Sequence, residues 1–114
     1  MADNYIELTN ENFAEQVLES SRLVIVNFST EQSAACQIQE PEFAALSREY
    51  QDRVTFAKLN VDSQAELTHD LKVTGIPTLI FFKGGQEIYR IPGVMMRNRL
   101  RRQIEGVLLA ANNA

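Results

Sequence analysis

The residues able to do chemistry are few and gather on one short stretch. Cys36 is the only cysteine in 114 residues. It ends the run Phe28-Ser29-Thr30-Glu31-Gln32-Ser33-Ala34-Ala35-Cys36, where an apolar strand gives way to helical spacing. Backbone N–H groups converge at such a junction, and a thiolate placed there is a nucleophile for disulfide exchange. A lone thiol limits that chemistry: it forms a mixed disulfide with glutathione, a partner protein or a second copy, but closes no disulfide within its own chain. Ser33 lacks the acidity and softness of a thiol; it reads as a helix N-cap, worth about 1 kcal/mol over alanine. No Cys/His set accompanies them, so no metal is expected, and nothing in the sequence calls for a cofactor. His69 stands alone and reads as a surface residue.

The elements that must position this stretch follow from hydrophobic period. Leu23 to Phe28 is almost continuously apolar, as suits a parallel strand covered on both faces. Before it, Tyr5-Ile6-Glu7-Leu8 alternates as a short strand, and Thr9 and Asn10 are helix caps for a segment with Phe13 and Val17 four apart. After it, Ala34 to about Tyr50 is predicted helical, with Ile38, Phe43, Ala44 and Leu46 as its apolar positions and a kink expected at Pro41. Val54 to Leu59 is the next strand. Ser63-Gln64-Ala65-Glu66 has the form of a capping box opening a short helix through Leu71. Gly84-Gly85 between Thr78–Phe82 and Glu87–Ile91 signals a hairpin. Leu100, Ile104, Val107 and Leu108 then mark a last helix from Met96 to Ala111, with Asn112 to Ala114 expected to fray. The order β-α-β-α-β-α-β-β-α predicts parallel strands joined by right-handed crossovers, then an antiparallel pair, with helices on both faces.

Composition sets the outer limits. Residues 1–114 are long enough, at 45% hydrophobic content, to form one domain with its own core. A formal net charge of −4 argues against a nucleic-acid or acidic-membrane binder. Met1 to Tyr5 has no basic start or apolar core, and the apolar runs are too short to span a bilayer, so a cytoplasmic location is expected.

In this order the pieces resemble the thioredoxin family. The resemblance rests on Cys36 near a helix start with Pro41 five residues on, Phe56-Ala57-Lys58-Leu59-Asn60-Val61-Asp62, Thr74-Gly75-Ile76-Pro77-Thr78, Phe82-Lys83-Gly84-Gly85-Gln86, and Gly93. It implies an α/β thioredoxin fold: a central five-stranded mixed sheet in the order 1-3-2-4-5, the last two strands antiparallel, flanked by four helices, with the Leu23 strand at the centre. It also implies a cis Pro77 facing the site.

The resemblance breaks where the chemistry should be. The family motif is Trp-Cys-Gly-Pro-Cys, and the matching residues are Gln32-Ser33-Ala34-Ala35-Cys36. Ser33 therefore stands at the position of the attacking cysteine, and Cys36 at that of the resolving one. Asn27 takes the place of a buried aspartate thought to exchange a proton with the second cysteine, and an amide takes up no proton near neutral pH. Alternation puts Asn27 on the side of its strand shared with Ile25. The resemblance brings Lys58 close by, with no carboxylate assigned to it. Ordinary dithiol turnover within one chain is excluded on stoichiometry.

What survives is a surface. In the family the backbone before the proline pairs with an extended partner segment, which makes Ile76, Pro77, Gly93 and the exposed Gln32 expected partner contacts. Arg97, Arg99, Arg101 and Arg102 crowd the start of the last helix against its macrodipole, with Arg90 upstream. They form either a solvated face or, through Arg97 and Arg101, a basic patch beside the groove that recruits an acidic partner. Three functions follow: a protein-binding or regulatory module, a monothiol redox protein acting through Cys36, or a weak thiol-disulfide oxidoreductase in redox homeostasis that borrows a second thiol. The chain is expected as a monomer or a Cys36-linked dimer.

Overall fold

The strand leading to Cys36 is the axis of the molecule. In the computed structural model, which describes residues 5–112, strand β2 (Leu23–Ser29) is buried along its whole length. It pairs in parallel with β3 (Val54–Asn60) and antiparallel with β4 (Thr78–Lys83). The edges are β1 (Tyr5–Leu8), parallel to β3, and β5 (Gln86–Pro92), antiparallel to β4, giving the order β1-β3-β2-β4-β5. This is the mixed sheet expected of a thioredoxin fold.

Residue alternation along β2 feeds two cores. Ile25 joins Phe56, Leu79 and Phe81 on one face, covered by Phe43, Leu46 and Tyr50 of α1 (Ala34–Glu49) and by Leu100, Ile104 and Leu108 of α3 (Arg97–Asn112). Val24, Val26 and Phe28 face the other way with Ala57, Leu59, Ile80 and Phe82, against Phe13, Val17 and residues of α2 (Ala65–Asp70). Because both faces are covered, a one-residue slip would put Asn27 in the place of a core hydrophobe, so the register is tightly specified.

Several local expectations change. The segment after β1 closes as a π-helical turn, Ala14–Leu18, so the four helical segments are this turn and three α-helices. Thr9 does not cap this turn, which starts at Phe13 without a side-chain bond; it exchanges bonds with Asn12 ahead of it, the Thr9 N–H donating to Asn12 Oδ1 at 2.8 Å and the Asn12 N–H to Thr9 Oγ1 at 3.1 Å. Asn10 works elsewhere, accepting from the Leu67 N–H at 3.3 Å. The capping box at Ser63 does not form. Asn60 Oδ1 instead accepts from the N–H groups of Asp62 and Ser63 at 2.9 and 3.0 Å, and with Asn10 serving Leu67, the helix starts at Ala65 without a side-chain cap of its own. In α1, Ile38 is 52% exposed, while Gln39 and Ser47 are buried. The buried face follows Cys36, Gln39, Phe43, Leu46 and Tyr50, and Ile38 falls off that stripe. The helix runs continuously through Pro41.

Two turns hold the loops that reach the site. Helix α2 ends in a Schellman motif: the Val73 N–H donates to Thr68 O at 3.1 Å, the Lys72 N–H to His69 O at 3.0 Å, and Lys72 takes φ 58°. The hairpin between β4 and β5 turns on Gly84 and Gly85, with φ 60° and 80°. A Cβ on Gly85 would also lie 2.8 Å from Leu18 O, so this position excludes any side chain. The expected fraying of the last residues concerns Asn113 and Ala114, which lie outside the described residues, and Asn112, where α3 ends.

Candidate functional site

The site is built where β2 runs out. Ser33 adopts extended backbone angles (φ −91°, ψ 125°) and its Oγ accepts the Cys36 N–H at 3.2 Å, the N-cap of α1. The hydroxyl at the attacking position is thus engaged in starting the helix. Cys36, only 4% exposed, forms part of the wall of a cleft of about 250 Å³ with Ser29, Thr30, Glu31, Gln37, Glu40 and Lys58.

Lys58 has a carboxylate after all. Its Nζ lies 3.3 Å from Glu40 Oε1, and the Tyr5 hydroxyl donates to Glu40 Oε2. Glu40 follows Cys36 by four residues, so one helical turn puts both on the same wall. Asn27, the position without a proton acceptor, is fully buried opposite Lys58 in the sheet register, and neither its Oδ1 nor its Nδ2 has a hydrogen-bond partner among the described residues. The negative charge of this region therefore comes from the helix, with a neutral amide on the strand.

At the rim, Thr30 Oγ1 lies 2.6 Å from both Asp62 Oδ2 and Gln32 Oε1. One hydroxyl proton serves one of these two acceptors at a time. Gln32 is exposed, as expected, and tied into this turn. Phe28 pairs with Thr78, the last pair between β2 and β4, so Ile76–Pro77 and Ser29–Thr30 leave the sheet at the same end. The Ile76–Pro77 peptide bond is cis. Pro77 is buried and its carbonyl accepts the Gly93 N–H at 2.8 Å, whereas Ile76 is half-buried and makes no backbone hydrogen bond within the described residues. Of the expected contacts, Gln32, Ile76 and Gly93 reach the surface and Pro77 lies beneath.

Arg97 and Arg101, the two arginines expected beside the groove, are each ion-paired to α1. Arg97 pairs with Glu42, whose Oε1 also accepts the Arg97 N–H at 2.7 Å, and Arg101 makes two bonds of 2.8 and 2.9 Å to Glu49. Arg97 and Arg101 hold the carboxyls of Glu42 and Glu49 below the ordinary glutamate value of 4.5, chiefly by hydrogen bonding. Arg90 pairs with Glu87 and donates to Leu71 O and Lys72 O, closing the end of α2. A buried amide completes the frame: Gln39 Nε2 donates to Met95 O at 3.0 Å and its Oε1 accepts the Met95 N–H at 2.8 Å, fastening the Gly93–Met96 loop to α1. Sequence reasoning missed Gln39 and Asp62, and set Glu40 near Cys36 without joining it to Lys58. The four-residue spacing from Cys36 was a usable signal for Glu40; a lone amide on an otherwise apolar helix face was a faint one for Gln39.

A mixed sheet in this order, a helix that starts at the Ser33–Cys36 stretch, and a facing Pro77 loop define a thioredoxin-type site. The thioredoxin family model matches residues 4–106. The chain is 35% identical over 101 residues to thioredoxin of Alicyclobacillus acidocaldarius subsp. acidocaldarius, covering 89% of this chain and 95% of that protein. It is 29% identical over 104 residues to thioredoxin of Chlorobaculum thiosulfatiphilum, covering 91% of this chain and 96% of that one. It is also 34% identical over 103 residues to the bifunctional thioredoxin reductase/thioredoxin of Mycobacterium leprae, covering 90% of this chain and 22% of that longer protein. This chain belongs to the thioredoxin family. Among the described residues no helix is long and apolar enough to cross a membrane.

Proposed function

We propose that this chain is a protein-binding or regulatory module that receives an extended segment of a partner at Ile76, Pro77, Gly93 and Gln32, without dithiol turnover. The observation that carries it is at Ser33: the position of the attacking thiol holds a hydroxyl that caps α1. Dithiol exchange needs two sulfurs, and this chain has one. The free backbone of Ile76 supports docking, since an extended segment satisfies such groups by adding itself as a strand.

A second reading is favoured by the place of Cys36 on the cleft wall. There its thiolate would attack a glutathione or partner disulfide, forming one mixed disulfide and releasing one thiolate, and an equivalent exchange would link two copies. A third, weak oxidoreductase activity with a borrowed thiol, makes the clearest kinetic claim. Three measurements separate them. Insulin reduction is expected to be undetectable, and turnover above the uncatalysed rate would restore the oxidoreductase. Cys36→Ser is expected to leave partner binding within about twofold, because the thiol is buried; loss of binding would shift the function to mixed-disulfide chemistry. Native Cys36 is expected to react with a thiol reagent only slowly until the protein unfolds.

A further inference from the structure

The charges left unpaired around the groove identify the chemistry of what enters it. We propose that the docked segment is basic, an extended stretch carrying lysine or arginine, which is received with its cations against Glu31 and Asp62. This rests on the docking reading above and adds the partner's charge.

Three cations on the elements around the site are already engaged. Lys58 is paired with Glu40, Arg97 with Glu42 and Arg101 with Glu49. Arg99 and Arg102 are exposed on α3, outside the row of Leu100, Ile104 and Leu108 that faces the core. Glu31 and Asp62 are exposed, and neither has a cation partner among the described residues. Both stand at one rim. Glu31 lines the Cys36 cleft, and Asp62 accepts from Thr30, which leaves the sheet beyond the Phe28–Thr78 pair at the same end as Ile76.

A strand laid along Ile76 rises about 3.3 Å per residue and sends alternate side chains to opposite sides. In the proposed pose one side of such a strand looks toward Glu31 and Asp62. Exposed apolar side chains stand on the loop that Gln39 holds, Val94 and Met96, and beside Gln39 on α1, Ile38. A lysine or arginine suits this arrangement, because its stem covers apolar surface while its head reaches a carboxylate. The chain's net charge of −4 adds long-range attraction of the same sign. An acidic segment would meet two carboxylates that have no cation partner among the described residues.

The test uses the ¹⁵N-labelled full chain and three extended peptides with one shared apolar centre, flanked by lysine, by glutamine or by glutamate. The lysine peptide is expected to shift the Ile76, Gly93 and Thr30 amides and to bind roughly three- to tenfold more tightly than the glutamine peptide, with the glutamate peptide weakest. That preference should disappear at about 0.5 M salt, where charges on the surface are screened over a few ångströms. It should also disappear in Glu31→Gln/Asp62→Asn, while Glu15→Gln on the π-helical turn leaves it intact. Equal binding of all three peptides at Ile76 and Gly93, or tighter binding of the glutamate peptide there, would overturn the basic partner and leave the docking reading standing. If no peptide moves those amides, the docking reading falls and takes this inference with it.

Discussion

Asn27 stands fully buried on the central strand with both amide atoms unpartnered among the described residues. Leaving a buried polar group unsatisfied costs about 1–3 kcal/mol, whereas an apolar group of similar shape avoids that cost. Asn27→Leu is therefore expected to stabilise the fold by about 1 kcal/mol, read as a rise in the urea unfolding midpoint at constant m-value. A loss of similar size would show that the amide is bonded in solution. The neighbouring Lys58 illustrates what local reading reaches and what it does not. Its proximity to Asn27 was legible from the resemblance, since the two residues pair across β2 and β3. Its partner was not, because Glu40 approaches from a different element and joins Tyr5 from a third.

Helix α1 starts on a side-chain cap and then serves as the wall against which the site is assembled. The cap at Ser33 was readable from residue type alone, and the structure places it at the expected N–H. Gln39 shows the opposite case. Its amide bonds both the N–H and the C=O of Met95, fifty-six residues on, and so fixes the loop that carries Gly93, Val94 and Met96. Gln39→Leu removes both bonds and strands two main-chain groups, at a cost of about 2–3 kcal/mol. The amides of Gly93 to Met96 should then lose hydrogen-exchange protection before those of β2 do. Unchanged protection in that loop would mean that packing alone holds it.

Across the whole molecule, α3 is bound to α1 by ion pairs as well as by the core under it. Glu42 and Glu49 bond Arg97 and Arg101, which answers the unfavourable placement of arginines at a helix N-terminus. Both carboxyls titrate below 4.5 in the folded chain. Their contribution is fully present above that pH and is lost as pH falls through the depressed folded values, because the unfolded chain takes up the protons first. The pairs are substantially exposed, so their effect is small and screened by salt. Stability should decline below about pH 4.5, and Glu42→Gln/Glu49→Gln should flatten that limb while changing stability at pH 7 by less than about 1 kcal/mol. An acid limb as steep in the double variant as in the parent would place the titrating groups elsewhere.

The sequence by itself determined the strand covered on both faces, the two-glycine hairpin and the presence of one thiol, because period, turn chemistry and residue identity are local properties; the strand order came with the resemblance to the thioredoxin family. The same resemblance sets a serine, Ser33, and an amide, Asn27, at positions where it implies a thiol and a carboxylate. The tertiary structure alone decided that Lys58 has Glu40, that Arg97 and Arg101 are spent on Glu42 and Glu49, and that Glu31 and Asp62 are left open. Those pairings join residues as much as 55 positions apart, and only the reversal of the chain through the sheet brings them within bonding distance. The charge of a surface depends on which ions have already found each other, and that is a property of the fold.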